Sequence, residues 1–119
     1  MIKSVSIGFT TNGTVYLGTT IRGRVQAVKV VADSNLTNSF DLTLTGETTA
    51  VPILTDITVS SNATTWWYPR ALAADNLDGS ASTDAFCDIC VYEERIKAVL
   101  ANAGTGVGTI TVYYFPEDF

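Results

Sequence analysis

The segment from Glu94 to Phe115 constrains the fold of this chain more than any other part of the sequence. Two runs, ERIKAVLANA and GTITVYYF, alternate apolar with polar residues, and Gly104, Gly106 and Gly108 interrupt them. Alternation at period two with β-branched and aromatic residues is typical of half-buried strands. The segment therefore predicts a β-hairpin with a glycine-containing loop. A helix over VYEERIKAVLANAG is the alternative, because its Glu and Lys residues are spaced three and four apart.

The same alternation recurs along the rest of the chain and predicts an all-β fold. A bulge or bend is expected near Ala27, where the apolar residues change face, and Pro52 directs its strand towards a sheet edge. Turns are expected at 11–13 and 46–50, and a surface loop at 73–84. Further strands are predicted at residues 4–9, 15–17, 20–32, 40–45, 51–60 and 86–91. We expect one domain, 1–119, with short N- and C-terminal extensions: an antiparallel β-sandwich or jelly-roll-like barrel of about seven to nine short strands.

Composition excludes several classes of function. The chain has 119 residues and a net charge of −5, and its seven Lys and Arg residues are scattered. Binding to phosphates requires clustered basic residues, so no direct nucleic-acid binding is expected. No apolar run approaches the ~18 residues of a membrane span, and the N-terminus lacks the features of a signal peptide. We therefore expect no membrane association and folding in the cytoplasm.

The residues that usually carry catalysis are missing or poorly placed. Histidine is absent, which removes Ser-His-Asp and Cys-His arrangements and the commonest general base. The glycines of the closing segment are expected to be turn residues, because no helix follows to form a phosphate-binding loop. We predict that the chain is not an enzyme, and that it has no catalytic residues, cofactor or metal site.

Cys87 and Cys90 form the single C-x-x-C motif of the sequence. A zinc site would need two further soft ligands, which this chain lacks. Two small thiols, buried or partly exposed, are the preferred interpretation. A disulfide or redox pair and a metal shared between subunits are the alternatives. The Asp residues between 75 and 88 do not match a calcium loop, because Leu77 stands where an oxygen ligand belongs. A solvated loop is the expectation there.

The segment Trp66-Trp67-Tyr68-Pro69-Arg70 is the most unusual cluster in the chain. In a strand, Trp66 and Tyr68 share one face and Trp67 takes the other, so at least one large ring should lie near the surface. Three interpretations stay open: packing between sheets, an aromatic and arginine anchor in a subunit interface, and a stacking platform for sugar rings.

With these segments in view, the chain resembles the small virion proteins of tailed bacteriophages, and among them the capsid decoration (cement) proteins. The resemblance lies in the order of four segments between residues 20 and 115. These are GRVQAVKVVAD, FDLTLTGE, the aromatic W-Y-P-R stretch, and ERIKAVLANAG followed by GTITVYYF.

The resemblance implies a non-enzymatic structural protein on the capsid surface of the virion, made in the host cytoplasm. It implies a homo-oligomer, with a trimer favoured, that binds the major capsid protein and stabilises the shell by bridging its subunits. The candidate interface residues are Trp66, Trp67, Tyr68, Arg70 and the terminal Phe119. The alternatives are another virion component, such as a head–tail connector or fibre-attachment module, and a carbohydrate-binding β-sandwich.

Overall fold

The computed structural model describes residues 1–10, 13–32, 39–61, 63–74, 81–101 and 107–117, without the side chains of 72–74 and 81–86. These ranges contain nine strands and no helix. The strands are β1 (Lys3–Phe9), β2 (Gly13–Ala32), β3 (Phe40–Gly46), β4 (Pro52–Val59), β5 (Thr64–Trp67), β6 (Ala71–Ala74), β7 (Ala81–Cys87), β8 (Ile89–Ala101) and β9 (Gly108–Pro116).

Seven of the strands form one antiparallel sheet in the order β1-β9-β2-β8-β3-β4, with β5 paired to β2, and β6 and β7 form a separate two-stranded sheet. The all-β antiparallel fold predicted from the sequence is thus confirmed. β4 lies at one end of the sheet order, as expected for a strand that begins with Pro52. The turn predicted at 46–50 is also present: the Gly46 N–H donates to the Val51 carbonyl (3.0 Å).

The predicted closing hairpin is wrong in its pairing, although both of its strands exist. β8 and β9 do not pair with each other, because β2 lies between them. Val25 of β2 is opposite Ile89 of β8 on one side and Tyr114 of β9 on the other. The physical reason is the length of β2: its 20 residues offer one edge to β8 and the other to β9. Alternation sets which face a residue occupies, whereas the choice of partner depends on the whole sheet.

β2 is one long bent strand rather than the two separate strands predicted over 15–17 and 20–32. Its pairing with β8 shifts register between Leu17 and Arg22, where Gly18 has a φ of 41°. A further shift lies between Val25 and Ala27 in the pairing with β9, which confirms the bulge predicted near Ala27. An extra residue in one strand bends it and strengthens its twist. The sheet therefore folds over at β2.

The folded sheet encloses one core between two layers. Residues 13–25 of β2 pair with β8, which joins β3 and β4 in one layer. Residues 23–32 pair with β9, which joins β1 in the other layer, where β5 also pairs with β2. Residues 23–25 pair on both sides, where the layers meet. The Phe9 ring of β1 meets the Phe40 ring of β3 edge-on, with centroids 5.2 Å apart, although the two strands are far apart in the sheet order. Both rings are buried in the same apolar cluster. This contact holds the two layers together.

Other segments depart from the sequence-based expectations. Part of the loop predicted at 73–84 is strand: residues 73–74 belong to β6 and 81–84 to β7. The strand predicted at 86–91 is broken at Asp88, between β7 and β8. Pro116 is the last residue of β9 and lies opposite Gly23. Residues 75–80, including two of the Asp residues considered for calcium, lie outside the described residues, as do Thr11 and Asn12 of the first predicted turn.

The bend of β2 makes Gly18 a sensitive position. A Cβ atom there would overlap the Val5 side chain, and the positive φ disfavours any residue with a Cβ. We expect Gly18→Ala to lower the free energy of unfolding by at least about 1–2 kcal/mol, from the left-handed backbone alone. Gly8→Ala is the matched control, because its Cβ would meet only an ordinary contact at 3.7 Å. Urea unfolding of both variants checks this; an equal effect of the two would contradict the proposed bend.

Candidate functional site

β5 positions the aromatic cluster at the edge of the layer formed by β1, β9 and the second half of β2. Trp67 lies opposite Val28 and is packed against the core, whereas Trp66 lies opposite Lys29 and is 43% exposed. Tyr68 follows the strand and is 66% exposed. The alternation predicted for these residues is therefore present: one tryptophan faces the core, and the other faces outward.

Trp66 is held in place by two outward-facing neighbours. Its ring stacks on Tyr113 of β9, with centroids 5.5 Å apart and an interplanar angle of 25°. The Lys29 ammonium lies 5.5 Å from the centre of the same ring, within the range of a cation–π interaction. The stacked pair spans the outer surface of β2, since Tyr113 and Trp66 belong to the strands on either side of it. Both contacts hold the exposed ring against its neighbours on the sheet.

The registers of β1, β9, β2 and β5 place the side chains around Trp66 in rows on one face. Directly opposite residues in neighbouring strands point to the same side of a sheet. We call this surface the outer face and define it by three rows: Ser4, Tyr113 and Ala27; Ser6, Thr111, Lys29 and Trp66; and Gly8, Thr109, Val31 and Thr64.

The outer face contains none of the chain's 12 Asp and Glu residues, and Lys29 is its single charge. The other layer carries both signs on its outer side. There Arg95 makes a paired contact with Glu47 (2.7 and 2.8 Å), and Lys97 lies between Tyr16 and Thr45. A mixed-charge surface is usual for a sheet that faces water. On the side of β2 and β9 that bears the outer face, charges of both signs begin in the next row, where Arg24 lies opposite Phe115 and binds Glu117. The outer face is therefore a patch without carboxylates within that surface.

An apolar hollow lies beside the third row of the outer face. Its volume is about 390 Å³, and its lining includes Gly8, Phe9, Val31 and Val107. Val31 and Val107 are 37% and 41% exposed. The hollow adds a concave apolar feature to a face that otherwise carries hydroxyl groups and aromatic rings.

Arg70 belongs to an ion-pair cluster within the chain. Its Nε is 3.3 Å from Asp88, which also lies 3.2 Å from Arg24. The Arg24 Nε donates to Glu117 at 2.6 Å, and its guanidinium lies over the Phe115 ring, 5.6 Å from the centroid. These contacts tie the chain after β5 and the chain after β9 to β2. Arg70 thus makes structural contacts here, and Phe119 lies outside the described residues.

The two cysteines are not joined by a disulfide. Cys87 at the end of β7 is exposed, Cys90 in β8 is half-buried, and both are free thiols. In the part of the chain that the structure describes, no group of three His, Cys, Asp or Glu side chains could hold a metal ion. Nor do the described residues include a helix with the length and hydropathy needed to cross a bilayer.

Sequence reasoning found Trp66 and Tyr68 but missed Tyr113, Lys29 and the rows around them. A signal was available, since the segments KSVSIGF and GTITVYYF contain no carboxylate. Their adjacency was not visible, because it follows from the pairing of β1 with β9 and of β9 with β2.

Comparison with known proteins gives a relationship of fold. No family model matches the chain, and no curated protein matches it. The structure is similar to a chain of a solved structure described as the acidic stable capsid structure of Helicobacter pylori bacteriophage KHP30. The TM-score is 0.55 at 21% sequence identity, and the match covers 98% of this chain and 89% of that one. The two chains therefore share a fold over nearly their full lengths.

Proposed function

We propose that this chain is a non-enzymatic virion structural protein that binds the outside of a bacteriophage capsid and stabilises the shell by bridging its subunits. The observation that carries the proposal is the outer face, on which the exposed, stacked Trp66 lies in a surface without carboxylates. Large aromatic side chains of this kind dominate the binding energy of protein interfaces. The fold shared with a chain of a phage capsid structure supports the same assignment.

In this account the protein is made in the host cytoplasm and acts as a homo-oligomer, with a trimer favoured. A trimer presents three copies of each contact to the shell, so its overall affinity exceeds that of one copy. The chain would bridge subunits of the major capsid protein and so oppose their separation. Another virion position, such as a head–tail connector or a fibre-attachment module, would use the same contact chemistry and is the alternative within this class.

A carbohydrate-binding function is less well supported. A sugar platform requires exposed rings that lie side by side in one plane. Tyr113 instead stacks against Trp66, with an interplanar angle of 25° and centroids 5.5 Å apart. The two rings form a stacked pair rather than a flat platform, so we favour a protein partner.

The two tryptophans provide a matched pair of variants. We expect Trp66→Ala to weaken capsid binding by about tenfold or more, because truncating an interface hot spot costs roughly 2 kcal/mol or more. Its cost in folding stability should be small, about 1 kcal/mol, from the lost ring stacking. Trp67→Ala should instead lower the free energy of unfolding by about 2–4 kcal/mol, because Trp67 packs against the core.

The measurement is co-sedimentation of purified protein with capsids isolated without it, together with thermal melts of each variant. Wild-type protein that does not co-sediment would contradict the proposed function. If the Trp66→Ala variant bound capsids as tightly as the wild type, Trp66 would not be part of the contact.

A further inference from the structure

We propose that the whole outer face is the surface that meets the capsid shell, and that its partner is a protein surface presenting a carboxylate to Lys29 and an apolar side chain to the hollow beside Val31. This inference rests on the proposed function and deepens it by naming the contact surface and the chemistry of its partner. It goes beyond the aromatic cluster of β5, since three of the four strands involved, β1, β9 and β2, lie outside that cluster.

The outer face carries fewer charges than is usual for a surface that faces water. Roughly a quarter to a third of surface residues in a soluble domain are charged, whereas the outer face carries Lys29 alone. Charged residues are depleted in the buried centres of protein interfaces, where aromatic residues are enriched. A carboxylate buried there without a partner would cost free energy through its lost hydration. Serine, threonine and aromatic side chains can be covered at lower cost, so the outer face is suited to losing contact with water.

The area of the outer face favours a capsid shell over a second copy of this chain as its partner. Four strands about 4.8 Å apart and three rows about 6.8 Å apart cover roughly 400 Å². A stable interface between two free proteins buries about 800 Å² on each partner. A second copy bound through this face alone would therefore dissociate readily. On a shell, several copies of the face are held to one lattice, and multivalent binding makes up for the small individual area.

The charges of the outer face and of the whole chain also favour a different protein over a second copy of this chain. Two outer faces brought together about a twofold axis would each contribute a lysine and no carboxylate, and the chains would each carry a net charge of −5. Like charges across an interface disfavour the pairing. Lys29 is half-buried, and its ammonium lies 5.5 Å from the centre of the Trp66 ring on the outer face. An acidic side chain on a different protein is the partner that this arrangement fits.

The test introduces a carboxylate into the outer face at two positions that do not lie directly opposite Lys29. Ser6→Glu and Thr109→Glu change exposed side chains, and Thr14→Glu is the matched control on the outer side of the other layer. We expect both outer-face variants to weaken binding to isolated capsids by at least about tenfold, with melting temperatures unchanged. The control should bind as the wild type does. Lys29→Gln, which adds no charge, should also weaken binding, by several-fold.

The possible results distinguish the contact surface, the proposed function and the partner from one another. If the wild-type protein binds and the Ser6→Glu and Thr109→Glu variants bind equally well, the outer face is not the contact surface, but the proposed function stands. No binding by the wild-type protein would overturn the proposed function itself. Loss of the solution oligomer in the two variants, measured by light scattering, would make the face a contact between copies of this chain and so overturn the shell as its occupant.

Discussion

Phe40→Ala is expected to lower the free energy of unfolding by about 3–5 kcal/mol, the largest effect we predict for any single substitution in this chain. Phe40 is 1% exposed and meets Phe9, which is 2% exposed, across the two layers. Removing the ring takes away buried apolar area and leaves a cavity where the folded sheet closes on itself. Because a small domain is stable by only about 5–15 kcal/mol, this loss is a large fraction of its stability. Urea unfolding measures the change.

Phe115→Ala is the matched control for the Phe40 variant. Its ring is half-buried, outside the apolar core cluster, and lies beside Arg24, where a cation–π contact is worth about 0.5–1 kcal/mol. Phe115→Ala should therefore cost roughly 1 kcal/mol. Similar losses for the two phenylalanines would contradict the enclosed core between the layers.

Glu94 is expected to give the second large effect, because it is a charged side chain buried in the described core, at 4% exposure. One carboxylate oxygen accepts the N–H groups of Thr48 (2.8 Å) and Thr49 (3.0 Å), and the other accepts the Thr49 hydroxyl (2.7 Å). A Cβ at Gly46 would collide with this carboxylate, so the glycine makes room for it. Glu94 thus fixes the turn between β3 and β4. Glu94→Ala should cost about 2–4 kcal/mol, because three donors lose their acceptor.

The same carboxylate should make stability depend on acid pH. Burial raises the pKa of Glu94, but the hydrogen bonds from Thr49 and Thr48 outweigh burial and hold that pKa below its usual value of 4.5. A depressed folded-state pKa means that the stabilising contribution is complete above about pH 4.5 and is lost as the pH falls through the folded-state pKa. Wild-type stability should therefore decline below pH 4.5.

Glu94→Gln isolates this contribution. It keeps an oxygen acceptor for the turn but cannot ionise, so its stability deficit at pH 7 should be about 1–2 kcal/mol and should shrink as the pH falls towards 3. The pKa of Glu47 is lowered by its hydrogen bond with Arg95, which both proteins keep, so the main part of the Glu47 contribution is shared by the two proteins. Denaturant titrations of the two at pH 7 and pH 3 check the difference. A deficit independent of pH would contradict an ionised Glu94 in the folded protein.

The fold class could be predicted from the sequence because alternation reports burial directly. In the closing segment, the pattern places Ile96, Ala98 and Leu100 on one face of their strand, and all three are buried. It places Ile110, Val112 and Tyr114 on one face of the other strand, where the first two are buried and Tyr114 is partly buried against the core. The partners of those strands could not be predicted in the same way. Hairpin pairing of β8 with β9 is the shortest connection, but a third strand, β2, satisfies the backbone hydrogen bonds of both. The local alternation of residues does not show whether β8 and β9 pair with each other or with β2.

The candidate site was predictable only in part, for the same reason. The pair Trp66 and Trp67 indicated that one ring would be outward, and Trp66 is the one exposed. Arg70, expected beside the rings, instead pairs with Asp88, a residue from the break between β7 and β8. Glu94 was not anticipated, because nothing in its neighbours along the chain marks a charged residue that will be buried under a turn.

We propose that the outer face of this protein lies against the outside of a phage capsid. Cryo-electron microscopy of particles assembled with this chain would show that contact directly. We predict that Ser6, Lys29 and Trp66 are buried against shell subunits and that the mixed-charge layer bearing Arg95 and Lys97 faces solvent. Particles without the chain on their surface, or with the outer face directed to solvent, would contradict it.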